Sequence, residues 1–272
     1  DTLQDAFDTS NVPQFTGNLA SLLSDSKVRA VLESGLADGS VKDDTLNYSF
    51  SGSMPAGGLI PSQNEIGFDE SVKNLLTDAY GTLASFLQGQ ANVGPDPIVT
   101  YGGKFVIDGH HRWSQVFVAN PNASLPSLDI APKSGYSPVD VLKAVHTAIG
   151  ADLGKVPQSS ASGMNVLSGI SYAEVEGAVQ DYLRADVMDT WRAHTDIRTE
   201  RELTEHLHEN LTAIAKRGTA KGAPPRDHMP QTDSGGDTAD RLEMLEKGLI
   251  NIEPPYEKAS RRLRCKCCGR KL

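Results

Sequence analysis

Asp108-Gly109-His110-His111-Arg112-Trp113 sets a carboxylate, a glycine, two imidazoles and a guanidinium side by side, at a point where the residue pattern changes its period. Before it run two short β-branched stretches, Pro97-Ile98-Val99-Thr100-Tyr101 and Lys104-Phe105-Val106-Ile107, joined by Gly102-Gly103. That order spells a hairpin with a two-residue turn. After it, Trp113, Val116, Phe117 and Ala119 recur at helical spacing until Pro121 stops the segment. The hexapeptide is therefore predicted at the exposed start of a helix that follows a strand, with Asp108 able to cap it. Amides of a first helical turn lack intrahelical acceptors and carry partial positive charge, so an anion is favoured there. Arg112 adds a fork suited to phosphate oxygens.

Working outward, the segment Leu59 to Ala131 forms the best-defined unit. A short apolar entry, Leu59-Ile60-Pro61, leads to the polar turn Ser62-Gln63-Asn64-Glu65. Asp69 then caps a predicted helix whose apolar face is Val72, Leu75, Leu76, Ala79, Leu83, Phe86 and Leu87. The hairpin, the hexapeptide, a second helix and a returning strand at Leu125 to Ile130 complete it. The order is α+β. Upstream, short helices are expected around Leu19 to Leu23 and Ser26 to Ser34, and a strand or extended loop from Leu46 to Gly58. Downstream, helices are expected at Pro138 to Ile149, from a Ser171 cap through Leu183 and on toward Trp191, and from Thr199 to Lys216. Beyond Gly218 the prolines and glycines read as linker, apart from a short helix near Arg241 to Lys247. The expected organisation is an N-terminal helical arm (1–45), an α/β domain (46–132), a helical extension (133–217) and a basic, cysteine-containing tail (218–272).

At 272 residues the chain has enough length for one sizeable core plus appendages, or for two small domains. Its net charge of −9 conceals a basic end: Lys258, Arg261, Arg262, Arg264, Lys266, Arg270 and Lys271 lie in a tail without acidic residues. The rest of the chain is correspondingly more acidic, which argues against a broad duplex-DNA footprint and leaves the tail as the part suited to nucleic acid. All three cysteines, Cys265, Cys267 and Cys268, sit in that tail. Cys265 and Cys268 have the spacing of half a zinc site, which needs two more ligands from His228, Cys267 or a partner chain. The reduced, unliganded reading stands ahead of zinc. No apolar run approaches the roughly 20 residues that cross a bilayer, and the first residues carry no basic, apolar signal region, so no membrane association is expected.

Gln63-Asn64-Glu65 ahead of a helix, followed by the hairpin and Asp108-Gly109-His110-His111-Arg112, resembles the ParB/sulfiredoxin-like superfamily over Leu59 to Ile130. The superfamily includes CTP-hydrolysing segregation proteins, sulfiredoxins, nucleases and kinases that phosphorylate free serine. The resemblance implies that Gly109, His110, His111 and Arg112 hold nucleotide phosphate. This chain departs from the sulfiredoxins, which carry a catalytic cysteine where His110 or His111 stands. It also lacks the Glu-Arg-Arg wording and helix-turn-helix of the segregation proteins. Its wording is closest to the free-serine kinases, and that likeness makes Glu65 the base, Asp108 its partner beside Mg²⁺, and His111 a member of the same site.

The implied ligands are Mg²⁺ and ATP, ADP or CTP. Phosphoryl transfer needs charge neutralisation, in-line positioning and a proton acceptor, which Arg112, helix amides, Mg²⁺ and a carboxylate supply. A second expectation is a ParB-like nuclease. A third is a structural or interaction protein, for example a subunit of a bacteriophage particle, that keeps the fold. The expected location is the cytoplasm of a bacterial host cell, or the virion. Gln63 is expected to brace its own turn, Trp113 to be core, and His194, His206 and His208 to lie on helix surfaces.

Overall fold

Gly102 and Gly103 both adopt positive φ, 61° and 62°, which lets two strands join through a tight turn whose twist matches theirs. The computed structural model describes residues 24–33, 46–153, 155, 163–226, 229 and 235–247. The glycine turn links β3 (Ile98–Tyr101) to β4 (Phe105–Asp108), antiparallel as expected. The other strands are β1 (Tyr48–Pro55), β2 (Ile60–Pro61) and β5 (Ser124–Ile130), and the sheet order is β1-β5-β3-β4-β2. β1 pairs antiparallel with β5, whereas β5 runs parallel to β3 and β2 parallel to β4. The sheet is mixed and the fold α+β.

Among the described residues the helices are α1 (Ser26–Glu33), α2 (Phe68–Thr77), α3 (Leu83–Leu87), α4 (His110–Ala119), α5 (Pro138–Leu153), α6 (Tyr172–Tyr182), α7 (Ala185–His194), α8 (Glu200–Arg217) and α9 (Gly235–Glu246). Four sequence expectations are corrected. The single helix expected from Asp69 to Leu87 is two, because Asp78 turns left-handed (φ 43°) and its carboxylate accepts from the N–H groups of Thr82 (2.8 Å) and Leu83 (3.0 Å). Its N-cap is Gly67, not Asp69. The run toward Trp191 likewise breaks at Leu183 and Arg184, where the backbone is extended, and α9 is longer than the short helix expected.

Capping chemistry sets the other boundaries. Ser171 with Glu174 and Thr199 with Glu202 form capping boxes at α6 and α8, each satisfying two orphan amides reciprocally.

The chain divides into two compact units. One comprises Tyr48–Val139 and Ser159–Arg226, so α6, α7 and α8 belong with the sheet. Its core holds Trp113, Trp191, Phe68, Phe86 and Phe117, all essentially inaccessible. Burying indole rings requires partners for their N–H groups, and Trp113 donates to the Ala56 carbonyl (3.0 Å) and Trp191 to the Leu75 carbonyl (3.1 Å). Trp113 is core, as its spacing predicted.

The described part of the other unit contains α1, α9 and α5 from Asp140 onward. Val28, Val31, Leu142, Val145, Ile149 and Leu242 are buried there. Asp25 starts α1 by accepting from the N–H groups of Lys27 and Val28, and it pairs with Lys143 at 3.1 Å.

Candidate functional site

Because β2 runs parallel to β4, with Ile60 opposite Phe105 and Pro61 opposite Val106, the segments that leave their carboxyl ends emerge side by side. One is Ser62 to Gly67, the other Asp108 to Arg112. That crevice is where parallel strands present ligand-binding loops. Gly109 opens α4 with φ 84°, and a β-carbon there would lie 2.7 Å from Ile98 Cγ2 and 3.0 Å from Arg112 Nη2. Both conformation and space require glycine. No side chain caps α4: Asp108 ends β4, and its carboxylate pairs with Arg112 at 3.4 Å instead.

The two histidines tie the segments together. His110 Nε2 accepts the Ser62 N–H (3.2 Å) and His111 Nε2 accepts the Gly67 N–H (3.2 Å). Each bond requires a neutral ring with its proton on Nδ1. Gln63 donates to the Glu65 carbonyl (2.6 Å), bracing the turn as expected. Arg112 points its guanidinium back along the fold, where Nη1 donates to the carbonyls of Asp96 and Pro97 and Nη2 to Asp108. Those bonds lock the start of α4 to the segment before β3 and commit donors that a phosphate grip would use.

Two site residues were missed by sequence reasoning. Arg226 lies in the stretch read as linker, yet that stretch is fastened to the crevice: Asn64 donates to the Pro224 carbonyl (3.1 Å) and Ala220 to the Pro61 carbonyl (2.9 Å). Asn165 adds a second clamp, accepting from the Ile66 N–H (3.0 Å) and donating to the Asn64 carbonyl (2.9 Å). Glu70, on the first turn of α2, folds its carboxylate over Gly67, and a β-carbon at Gly67 would meet it. Nothing local marks Arg226, because only the fold brings it there. Glu70 carries a weak signal, three residues beyond the cap.

Charge ties these groups into one cluster. Burial, and then the Arg226 cation, push the His111 pKa below 6.5, against the opposing pull of Glu70, Asp108 and Glu65. Burial likewise lowers the Arg226 pKa, while Asp108, Glu65 and Glu70 act to raise it. Glu65, Asp108 and His111 thus share one electrostatic neighbourhood with Glu70 and Arg226.

No protein-family model, characterised protein or solved structure matches the chain.

Cys265, Cys267, Cys268 and His228 lie outside the described residues, as does the basic tail. Among the described residues, no group of three or more His, Cys, Asp or Glu side chains is placed to hold a metal, and no helix is long and apolar enough to cross a membrane. His206, expected on a helix surface, is half-buried and bonds the Ala119 carbonyl at the end of α4 (2.9 Å).

Proposed function

We propose that the sheet-containing unit is a nucleotide-phosphate-binding domain of the ParB/sulfiredoxin-like kind, catalysing Mg²⁺-dependent phosphoryl transfer or nucleotide hydrolysis. The observation that carries the reading is the convergence, beyond the ends of parallel β2 and β4, of Glu65, Asp108, His111 and Arg226 around the glycine that opens α4. The first-turn amides of α4 and the Arg226 cation neutralise phosphate charge. Mg²⁺ retains several waters and takes few protein ligands, so one carboxylate, Asp108, with phosphate oxygens is sufficient to hold it. Glu65 takes the proton of the attacking hydroxyl or water. Neutral His111 holds the loop that carries Glu65. Arg112 acts as a positioning residue, fixing the Asp96-Pro97 backbone against α4.

Calorimetric titration of ATP, ADP and CTP with Mg²⁺ into the full chain tests this. Binding of at least one nucleotide, weakened by Arg226→Ala, is the expected result. Absent binding for all three defeats the proposal. A second reading is favoured by the Arg112 bonds, since a guanidinium spent on backbone carbonyls also suits a fold-preserving interaction protein. Isolation of a stoichiometric assembly from the native source, with no nucleotide binding, would put that reading first. A third, nuclease action on DNA, requires metal-dependent strand cutting that Glu65→Ala abolishes.

A further inference from the structure

The loop that carries Glu65 is gripped by a segment about a hundred residues further along the chain. Met164 to Val166 runs antiparallel beside it, with Gly67 opposite Asn165. The Phe68 N–H donates to the Met164 carbonyl (2.8 Å) and the Val166 N–H to the Ile66 carbonyl (2.9 Å). Between these two backbone bonds the Asn165 side chain reaches across. Its Oδ1 accepts from the Ile66 N–H (3.0 Å) and the Leu167 N–H (3.1 Å), and its Nδ2 donates to the Asn64 carbonyl (2.9 Å). A flipped amide would forfeit all three bonds, so its orientation is fixed. Asn165 is itself firmly seated, because it caps the 3-10 turn Val166–Ser168 and Val166 is buried in the core. Capping that turn needs only an oxygen, which serine, threonine or aspartate also carries. The donor to Asn64 exceeds what the cap requires.

We propose that Asn165 is a positioning residue for Glu65, acting through the backbone of Asn64 and Ile66 to hold the carboxylate where the attacking hydroxyl or water gives up its proton. The inference rests on the phosphoryl-transfer reading of the crevice. Asn165 holds the residue before Glu65 and the residue after it, while Gln63 holds the Glu65 carbonyl (2.6 Å) and His111 holds Gly67 (3.2 Å). With the backbone held on both sides, the direction in which the Glu65 side chain leaves the chain is set. A general base must lie within about 2.6–3.2 Å of the proton it takes, and a misplacement of about 1 Å can cost on the order of a hundredfold in rate. Nucleotide affinity, by contrast, is assigned to the α4 amides and Arg226, which lie outside the Asn165 bonds. The signature of this role is therefore a loss of kcat at constant KM.

Steady-state consumption of ATP, ADP and CTP with Mg²⁺ by the full chain, arranged as a double-mutant cycle, tests it. Asn165→Leu, similar in shape but without polar side-chain atoms, should lower kcat about 10- to 100-fold and leave KM within about 2-fold. Asn165→Asp keeps the Ile66 and Leu167 bonds and loses the Asn64 bond, so its kcat should fall between the two. Glu65→Gln combined with Asn165→Leu should be no slower than Glu65→Gln alone, because a base already removed has no position to lose. Should Asn165→Leu fail to fold, Asn165→Asp completes the same cycle. Losses that multiply in the double variant, an unchanged kcat in Asn165→Leu, or a KM that rises in step with the loss of kcat would overturn the inference and leave Asn165 a clamp of the fold alone. A wild-type chain that consumes none of the three nucleotides defeats the phosphoryl-transfer reading, and this inference with it. The wild-type rate thus tells the two failures apart.

Discussion

His110 and His111 do work that no arginine or lysine performs at their positions: each accepts a backbone N–H, from Ser62 and from Gly67. Protonation removes that capacity. The folded chain binds the His111 proton at lower pH than an unfolded chain with its ordinary value of 6.5, because burial and Arg226 outweigh Glu70, Asp108 and Glu65. Between those two values the unfolded state holds more protons, so stability rises with pH there, is complete above the unfolded value, and is lost as pH falls through the folded one. Urea midpoints should therefore drop on going from about pH 7 to about pH 5. His111→Gln, whose amide oxygen still accepts from Gly67, should flatten the His111 share of that drop. An unchanged slope in the variant would refute the assignment. Gly109→Ala tests the adjacent position. Its left-handed φ and the 2.7 Å approach to Ile98 Cγ2 together predict a loss of at least about 2 kcal/mol in denaturant unfolding. A cost like that of an ordinary surface change would mean that the strand-to-helix turn relaxes freely.

The break between α2 and α3 depends on Asp78, whose carboxylate accepts the Thr82 and Leu83 amides while its own backbone turns left-handed. Asp78→Asn retains an acceptor and tolerates that conformation, so its unfolding free energy should stay near wild type. Asp78→Ala should lose about 1–2 kcal/mol, measured by urea denaturation. Equal effects of the two substitutions would show that the carboxylate is not the cap. This element also marks where sequence reading ends. The apolar spacing of Val72, Leu75, Leu76, Leu83, Phe86 and Leu87 continues through the break, since both helices bury the same side, and periodicity does not register a change of axis. Some local signals were readable, Gly102-Gly103 for the hairpin and Ser171 as the cap of α6, whereas the cap of α2 was misplaced at Asp69 instead of Gly67. The strand-to-helix placement of Gly109 was readable as another local signal. Arg226 was not, nor was the choice of Arg112 to bond Asp96 and Pro97 instead of a solvent-facing anion, because both depend on which backbone the fold brings alongside.

The unit that holds the sheet is completed by helices far outside Leu59 to Ile130. Trp191 fills its core and bonds the Leu75 carbonyl, while His206 and Asn210 bond the last carbonyls of α4. The segment after α8 then returns to the crevice, where the Asn64 N–H bonds the Pro224 carbonyl and the Ala220 N–H the Pro61 carbonyl, bringing Arg226 into the field of Glu65 and Asp108. If phosphate binds there, ligand affinity must depend on a residue that a Leu59-to-Ile130 fragment lacks. A ligand that binds only the folded state stabilises it by RT ln(1 + [L]/Kd), about 2.7 kcal/mol at a hundredfold excess over Kd. Mg²⁺ with the nucleotide that binds should therefore raise the thermal midpoint of the full chain by a few degrees at saturation. Arg226→Ala should lose most of that rise, while Arg226→Lys, which keeps the charge but not the planar fork, should keep part of it. Comparing each variant with and without nucleotide separates binding from any change in intrinsic stability. A nucleotide-induced shift that survives intact in Arg226→Ala would remove this residue from the site and leave the α4 amides as the phosphate contact. No shift in any variant, at saturating Mg²⁺ and nucleotide, would mean that the crevice serves the fold and not a nucleotide.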